Sequence, residues 1–224
     1  MAHPLWPIYD LRLRTDRLEL RLPHEDDIAD LCAIAVAGIH PADEMPFAYP
    51  WSRVEHPRFE RDFFQFYLKL IGDWRPDRWS LGLGVFRDGE AIGVQELAAN
   101  DFASMRRVST GSWLGQAHQR QGYGKEMRGA VLALAFDGLG ADVAETEALL
   151  DNHASAGVSR RLGYASNGIG RLAPDGVPRD TERFRMTLSD WRGRPRPAVS
   201  IEGLNGCREL FGVVPLEEGR DGPA

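Results

Sequence analysis

Cysteine is almost missing from this chain. Among 224 residues only Cys32 and Cys207 occur, too few for a disulfide framework or a cysteine-based metal site, and a composition that fits a reducing compartment. The six histidines show no His-x-x-x-His spacing, the pattern that puts two imidazoles on one helix face, so no metal is expected. Positive charge is in deficit as well. The 27 lysines and arginines face 33 aspartates and glutamates, a formal charge of −6, which leaves no global field to gather nucleic acid or an anionic membrane. Long apolar runs are absent too. The longest, Gly129 to Phe136, is closed by Arg128 and Asp137, far short of the roughly 20 residues a membrane helix needs. The first ten residues carry no basic-then-apolar leader. The expectation is a cytoplasmic protein that neither spans a membrane nor binds nucleic acid.

What is present is an ordinary globular balance. Hydrophobic residues make up 43% and charged residues 27%, which excludes a disordered or collagen-like chain, and the length favours one domain with at most an appendage. Leu18 to Arg21 alternates apolar and charged residues as a half-buried strand does. Ile28, Leu31, Cys32, Ala35 and Ile39 then recur at helical spacing behind Glu25, Asp26 and Asp27, acids that suit a helix N-terminus. Four prolines between residues 40 and 57, with Phe47, Tyr49 and Trp51 among them, predict an ordered aromatic loop, and Tyr49 and Trp51 are candidate walls of an acceptor pocket. A second helical stripe runs from Phe59 to Leu70. Leu81 to Phe86 and Ala91 to Leu97 flank Asp88-Gly89, a tight hairpin signal. Further strands are predicted at Val108 to Leu114, Val143 to Leu150 and Phe184 to Leu188, with helices over Gly122 to Phe136 and Ala154 to Leu162.

The chemistry concentrates in Ser112-Trp-Leu-Gly-Gln-Ala-His-Gln-Arg-Gln-Gly-Tyr-Gly-Lys-Glu126, which leads a strand through a glycine-bearing loop straight into a helix. Unpaired N–H groups at such a helix start can cradle a phosphate. No Walker loop is present, since Gly-Lys-Ser/Thr is missing, and no third glycine completes a dinucleotide fingerprint. A different phosphate site is needed.

Here the chain resembles the GNAT superfamily of acyl-CoA-dependent N-acyltransferases, whose pyrophosphate loop reads Gln/Arg-x-x-Gly-x-Gly/Ala; the matching residues are Gln119-Arg-Gln-Gly-Tyr-Gly124. Asn152, Ser155 and Leu162-Gly-Tyr164 are similar to a second segment of that superfamily. Leu11 to Arg21 and Met186 to Trp191 resemble the two ends of its ribosomal-protein N-terminal acetyltransferase-like branch. The resemblance implies one α/β (α+β) domain over 11–191, a mixed central sheet of about seven strands flanked by helices, and an extension over 192–224.

It also implies site residues. Backbone groups of Trp113 and Leu114 would meet the pantetheine arm and thioester, with Leu114 N–H as the oxyanion donor. Gln119, Arg120, Gln121, Gly122, Tyr123, Gly124 and Lys125 would bind the pyrophosphate, Asn152 the pantetheine, and Arg160 or Arg161 the 3′-phosphate. Ser155 and Tyr164 are alternative donors of the thiol proton. Many relatives take their general base from the fourth strand, yet Val108 to Leu114 contains no carboxylate; Glu96, Asp101 and a water chain stay open.

The function implied is acyl transfer, acetyl or succinyl, from acyl-CoA to a protein N-terminus, a lysine or a small amine. A non-catalytic acyl-CoA sensor and a regulator binding another diphosphate are the rivals. Beyond the Arg192 to Pro197 linker-like run, the apolar cluster Leu204, Leu210, Phe211 and Val213 must fold back or meet a second subunit, and a homodimer is expected.

Overall fold

The alternating residues Arg78–Arg87 (β3) and Glu90–Asn100 (β4) reverse at Asp88-Gly89, where φ is +51° and +86°, the left-handed pair that a two-residue hairpin requires. The computed structural model describes residues 3–174 and 176–213; residues 214–224 of the expected extension lie outside them. Strands Arg12–Arg14 (β1) and Glu19–Arg21 (β2) come first, followed by helices Glu25–Ala37 (α1) and Arg58–Gly72 (α2). After the hairpin come Phe102–Met105 (α3), Arg107–Leu114 (β5), Tyr123–Ala133 (α4), Val143–Leu149 (β6) and His153–Leu162 (α5). Ala165–Leu172 (β7), Arg179–Thr187 (β8), Leu188–Arg192 (α6) and Ser200–Glu202 (β9) complete the chain. One mixed sheet runs β7-β8-β6-β5-β4-β3-β2-β1-β9.

The sheet thus has nine strands rather than about seven. The unforeseen ones carry little pattern: β1 and β9 span three residues each, and β7, at the sheet edge, is mostly exposed and contains two glycines. Such strands bury too little to leave an apolar alternation. The helix expected to reach Phe136 ends at Ala133 and widens into a π-turn over Leu134–Gly138, where Leu139 N–H bonds the Leu134 carbonyl at 2.8 Å. Among the described residues no helix is long and apolar enough to cross a membrane.

Both faces of the sheet are covered. Ile28, Leu31 and Cys32 of α1 and Phe59, Phe63 and Tyr67 of α2 pack with Val94 on one side. The other side holds the larger core, built around Met127, Ala130, Val131 and Leu134 with the chain ends. The tail belongs to this core. Its strand β9 pairs with β1 at Leu13↔Ile201, and Leu204, Cys207, Phe211 and Val213 are buried. Phe211 lies 4.9 Å from the Trp79 ring and 5.3 Å from Trp74, while Trp74 Nε1 donates to the Leu210 carbonyl at 2.7 Å. The cluster folds back, so the reason for expecting a homodimer from it is gone.

Candidate active site

Strands β5 and β6 run parallel but pair only at Arg107↔Val143, Val108↔Ala144 and Ser109↔Glu145. Beyond that point β5 stays on β4 as far as Gly93↔Leu114, and β6 stays on β8 as far as Leu149↔Thr181. The two therefore part. The last tie across the opening is Thr146 Oγ1 donating to the Thr110 carbonyl at 3.0 Å. Backbone groups alternate sides along a strand. Thr110 faces β6, and Gly115 N–H bonds Ile92 on the β4 side at 3.0 Å, so the N–H of Leu114 points into the opening. The backbone of Trp113 turns the other way, into the ladder with Val94, and its indole joins the α2 cluster. The sequence placed both backbones at the thioester; only that of Leu114 is turned that way.

The loop that follows β5 is shaped by two residues of positive φ, Arg120 at +60° and Gly122 at +87°. Alternation with ordinary residues turns successive N–H groups to one concave side, the geometry of an anion nest. Arg120, Gln121, Gly122 and Lys125 are exposed there. Gln119 acts as a brace, its Nε2 donating to the Leu114 and Ile39 carbonyls at 2.9 and 2.8 Å. Tyr123 is buried under Arg17, whose guanidinium stands 4.5 Å from the ring centre. Arg17 also pairs with Glu126 at 2.5 Å, and Thr15 Oγ1 donates to the same carboxylate at 2.6 Å. The Thr15 to Leu18 turn thus clamps the start of α4.

Below the opening lies a polar floor. Arg128, buried on α4, donates to Ser159 Oγ of α5 at 2.9 Å and to Ser112 Oγ of β5 at 3.1 Å. Among the described residues six buried side-chain polar atoms lack a partner, and four are here: Gln95 Oε1, Thr110 Oγ1, Arg128 Nε and the Tyr164 hydroxyl. Tyr164 lies close to Thr110 without a well-aligned bond; burial raises its pKa, with Arg128 and Thr110 opposing. Ser155 sits one turn before Ser159, whose hydroxyl donates to the Ser155 carbonyl at 3.1 Å. Asn152 caps α5, its Oδ1 accepting from Ser155 N–H at 3.0 Å, and its Nδ2 donates to the Pro46 carbonyl at 3.3 Å. Arg160, exposed on α5, is paired with Glu182 and stacked over Phe184.

A family model, described as an acetyltransferase (GNAT) domain, matches residues 17–165. The chain belongs to the GNAT acetyltransferases. A Bacillus subtilis (strain 168) protein, YoaA, named an uncharacterized N-acetyltransferase, is 27% identical over 180 residues, covering 78% of this chain and 95% of that relative. Mycobacterium smegmatis RimJ, solved with CoA-disulfide, shares the fold with a TM-score of 0.67 at 20% identity, over 85% of this chain and 92% of its own. RimL, a ribosomal-protein alpha-N acetyltransferase solved with coenzyme A, does so with a TM-score of 0.59 at 17% identity, over 79% and 97%.

A GNAT acetyltransferase works on acyl-CoA, and the residues here suit it. The N–H groups turned to one side at Gly122 have the shape that suits a pyrophosphate, a side chain at Gly122 would strain the loop, and buried polar atoms without partners lie beneath the opening. Among the described residues no cluster of three potential metal ligands occurs.

On the opposite face, Val94 packs with the α1 and α2 cluster, so Glu96 two residues on projects to the same side. Its carboxylate accepts from Ser80 Oγ at 2.5 Å, and a Cβ built on Gly111 of β5 would lie 3.0 Å from Glu96 Oε2. Glu96 therefore fills, from β4, the space beside β5 where that strand lacks its own carboxylate. Asp101 lies past the end of β4, at the cap of α3. A cavity of about 540 Å³ opens among Pro46 and Ala48, Ser109 and Thr110, and Glu145 and Glu147. The proline-rich loop that walls it is pinned by Asn152 and by Arg179, which donates to the Met45 carbonyl at 2.9 Å. Trp51 packs on Phe47, Phe63 and Trp113, while Tyr49 is 72% exposed.

Sequence reasoning missed Arg17, Glu126 and Arg128. For the first two a signal existed: Arg17 lay within the Leu11 to Arg21 segment that resembled the family, and Glu126 closed the segment that begins at Ser112, both without a role attached. Arg128 gave none, because it entered only as the boundary of an apolar run.

Proposed function

We propose that this chain transfers an acetyl group from acetyl-CoA to an amine presented by a polypeptide. The single observation that carries the reading is the parting of β5 and β6 above the glycine-turned start of α4, with four orphaned polar atoms beneath it. The bound thioester supplies the activated acyl group. The N–H groups of the loop from Arg120 to Gly124 hold its diphosphate, with the exposed Lys125 beside them, helped by the positive end of α4. Leu114 N–H faces the opening and stabilises the negative charge that grows on the carbonyl oxygen. Glu96 takes the proton from the attacking amine, directly or through water, and Tyr164 or Ser155 returns one to sulfur. Tyr164 carries its proton at neutral pH; burial raises its pKa, and the nearby Arg128 charge and Thr110 oppose that rise and so ease donation.

A polypeptide acceptor is favoured by exposed apolar residues on the segments that form the cavity. Tyr49 and Leu150, exposed by 72% and 48%, directly follow the lining residues Ala48 and Leu149, and Arg179 ties their segments together through Met45 and Asp151. A small polar amine makes no use of such residues, whereas a peptide can cover them. The test is thiol release from acetyl-CoA and from succinyl-CoA, each with N-terminal peptides and with small amines. Peptide-dependent release from acetyl-CoA supports the proposal. Tight coenzyme A binding without any turnover identifies a sensor instead, and faster reaction with small amines refutes the acceptor class.

A further inference from the structure

Arg128 is 3% exposed, and among the described residues it bonds only to the hydroxyls of Ser112 and Ser159. No carboxylate pairs with it among the described residues; burial draws its pKa down, and Tyr164 is the one titratable group that acts on it. A buried guanidinium stays charged, and keeping a charge from water without an anion is costly. Hydroxyls offset part of that cost and leave the charge itself unanswered. The placement is informative. One hydroxyl partner stands on β5, one wall of the opening, and the other on α5, the helix that follows β6, and Nε has no partner among the described residues.

We infer that the Arg128 guanidinium is the counter-charge for the coenzyme A thiolate released in each turnover, waiting at the floor of the opening for the anion that the reaction makes. The inference rests on the acetyltransferase reading. The amine nitrogen forms a bond to the carbonyl carbon, the carbon–sulfur bond breaks, and its electron pair leaves on sulfur. The proton lost by nitrogen balances the one sulfur later takes from Tyr164, Ser155 or water. A cation matters most while sulfur carries the full charge, so it favours the transition state over the bound thioester.

The test uses the full chain with Arg128→Met and Arg128→Lys. Wild-type protein should bind coenzyme A at least tenfold more tightly than desulfo-coenzyme A at about pH 9, where a thiol is substantially ionised. In Arg128→Met that preference should shrink to within about twofold, and kcat should fall about 100-fold with the KM for acetyl-CoA within threefold. Arg128→Lys should recover part of both, while the urea midpoint of Arg128→Met should hold or rise, since a buried unpaired charge has been removed. A lower midpoint with kcat retained makes Arg128 a structural brace and overturns the inference. If Arg128→Met does not fold, the wild-type ratio decides, and no preference for the sulfur overturns it. Faster turnover of succinyl-CoA than of acetyl-CoA, lost in Arg128→Met, reassigns the cation to an acyl carboxylate. Absence of any coenzyme A binding by the wild type overturns the parent reading as well.

Discussion

Two glycines two residues apart should respond oppositely to alanine. Gly122 holds φ at +87°, and an L-residue there costs about 1–2 kcal/mol, more when β-branched. Space is not the constraint, because a Cβ would lie 3.4 Å from the flexible end of Arg17. A loop that relaxes out of this conformation turns its N–H groups away from the nest, and binding must restore them. The strain therefore surfaces as lost affinity: about 5- to 30-fold for Gly122→Ala and more than about 100-fold for Gly122→Val, at 1.4 kcal/mol per tenfold. Gly124 lies in the first turn of α4 without a positive φ, and a Cβ there would meet Val158 at 3.6 Å and Leu114 at 3.9 Å, ordinary packing distances. Gly124→Ala should stabilise the helix by up to about 0.5–1 kcal/mol and leave coenzyme A affinity within about threefold. Calorimetric titration with coenzyme A at fixed ionic strength, with circular dichroism to confirm folding, measures both. Affinity of Gly122→Val within twofold of wild type, or equal losses at the two glycines, refutes the nest.

Glu126→Ala removes the acceptor of Thr15 Oγ1, Arg17 N–H and the Arg17 guanidinium; discounted for the half-exposed arginine, the loss should be about 2–3 kcal/mol, or roughly 5–10 °C in Tm. A fall below 2 °C means the clamp is ornamental. Glu96→Gln should lower kcat about 100-fold or more with acetyl-CoA affinity kept, and an unchanged kcat transfers the base to Glu147 or to water. Stability should fall as pH rises above about 9. The Cys207 thiol is pushed by burial up to about 12 from 9.0, and burial also raises Tyr67 and Tyr164. Over that range the unfolded chain binds fewer protons than the folded one. The contribution is complete below the unfolded value and declines above it, by about 2 kcal/mol from Cys207 alone at about pH 10.5. Urea midpoints that stay flat between about pH 7 and 10.5 would contradict this.

The legible parts of the sequence were those in which one local rule governs. Asp88-Gly89 fixes a hairpin through φ alone, α1 announces itself by an apolar stripe behind three acids, and the Gln119 to Gly124 pattern marks a loop whose first glycine, Gly122, the backbone demands. Where tertiary context decides, the residues tell less. Arg128 closes the longest apolar run and reads as a boundary, yet it is as buried as its neighbours because two serines from other elements reach it. Asn152 reads as a ligand to the cofactor, and the structure adds that it caps α5 and holds the acceptor loop. Arg160 reads as a phosphate contact, and its ion pair with Glu182, 22 residues away, leaves no local trace in the sequence. Glu96 could be proposed, but only the gap at Gly111 shows why a carboxylate on β4 can stand in for one on β5.

The tail and the cofactor loop, far apart in sequence, form one mechanical path. Strand β9 zips onto β1 through Arg12↔Glu202, Leu13↔Ile201 and Arg14↔Ser200, and β1 leads directly into the turn whose Thr15 and Arg17 grip Glu126. Gly203 lets this happen. With φ at +75° and a virtual Cβ only 2.3 Å from the Asp10 carbonyl, no side chain fits where the tail crosses the N-terminal segment. Beyond that crossing, Cys207 and Phe211 are fully buried and anchor the tail under Trp74 and Trp79. A strand of three residues such as β1 would pair weakly if it ended the sheet, and β9 covers it as its second partner. The apolar cluster past the arginine and proline run thus steadies the N-terminal turn, and through it the loop at the start of α4.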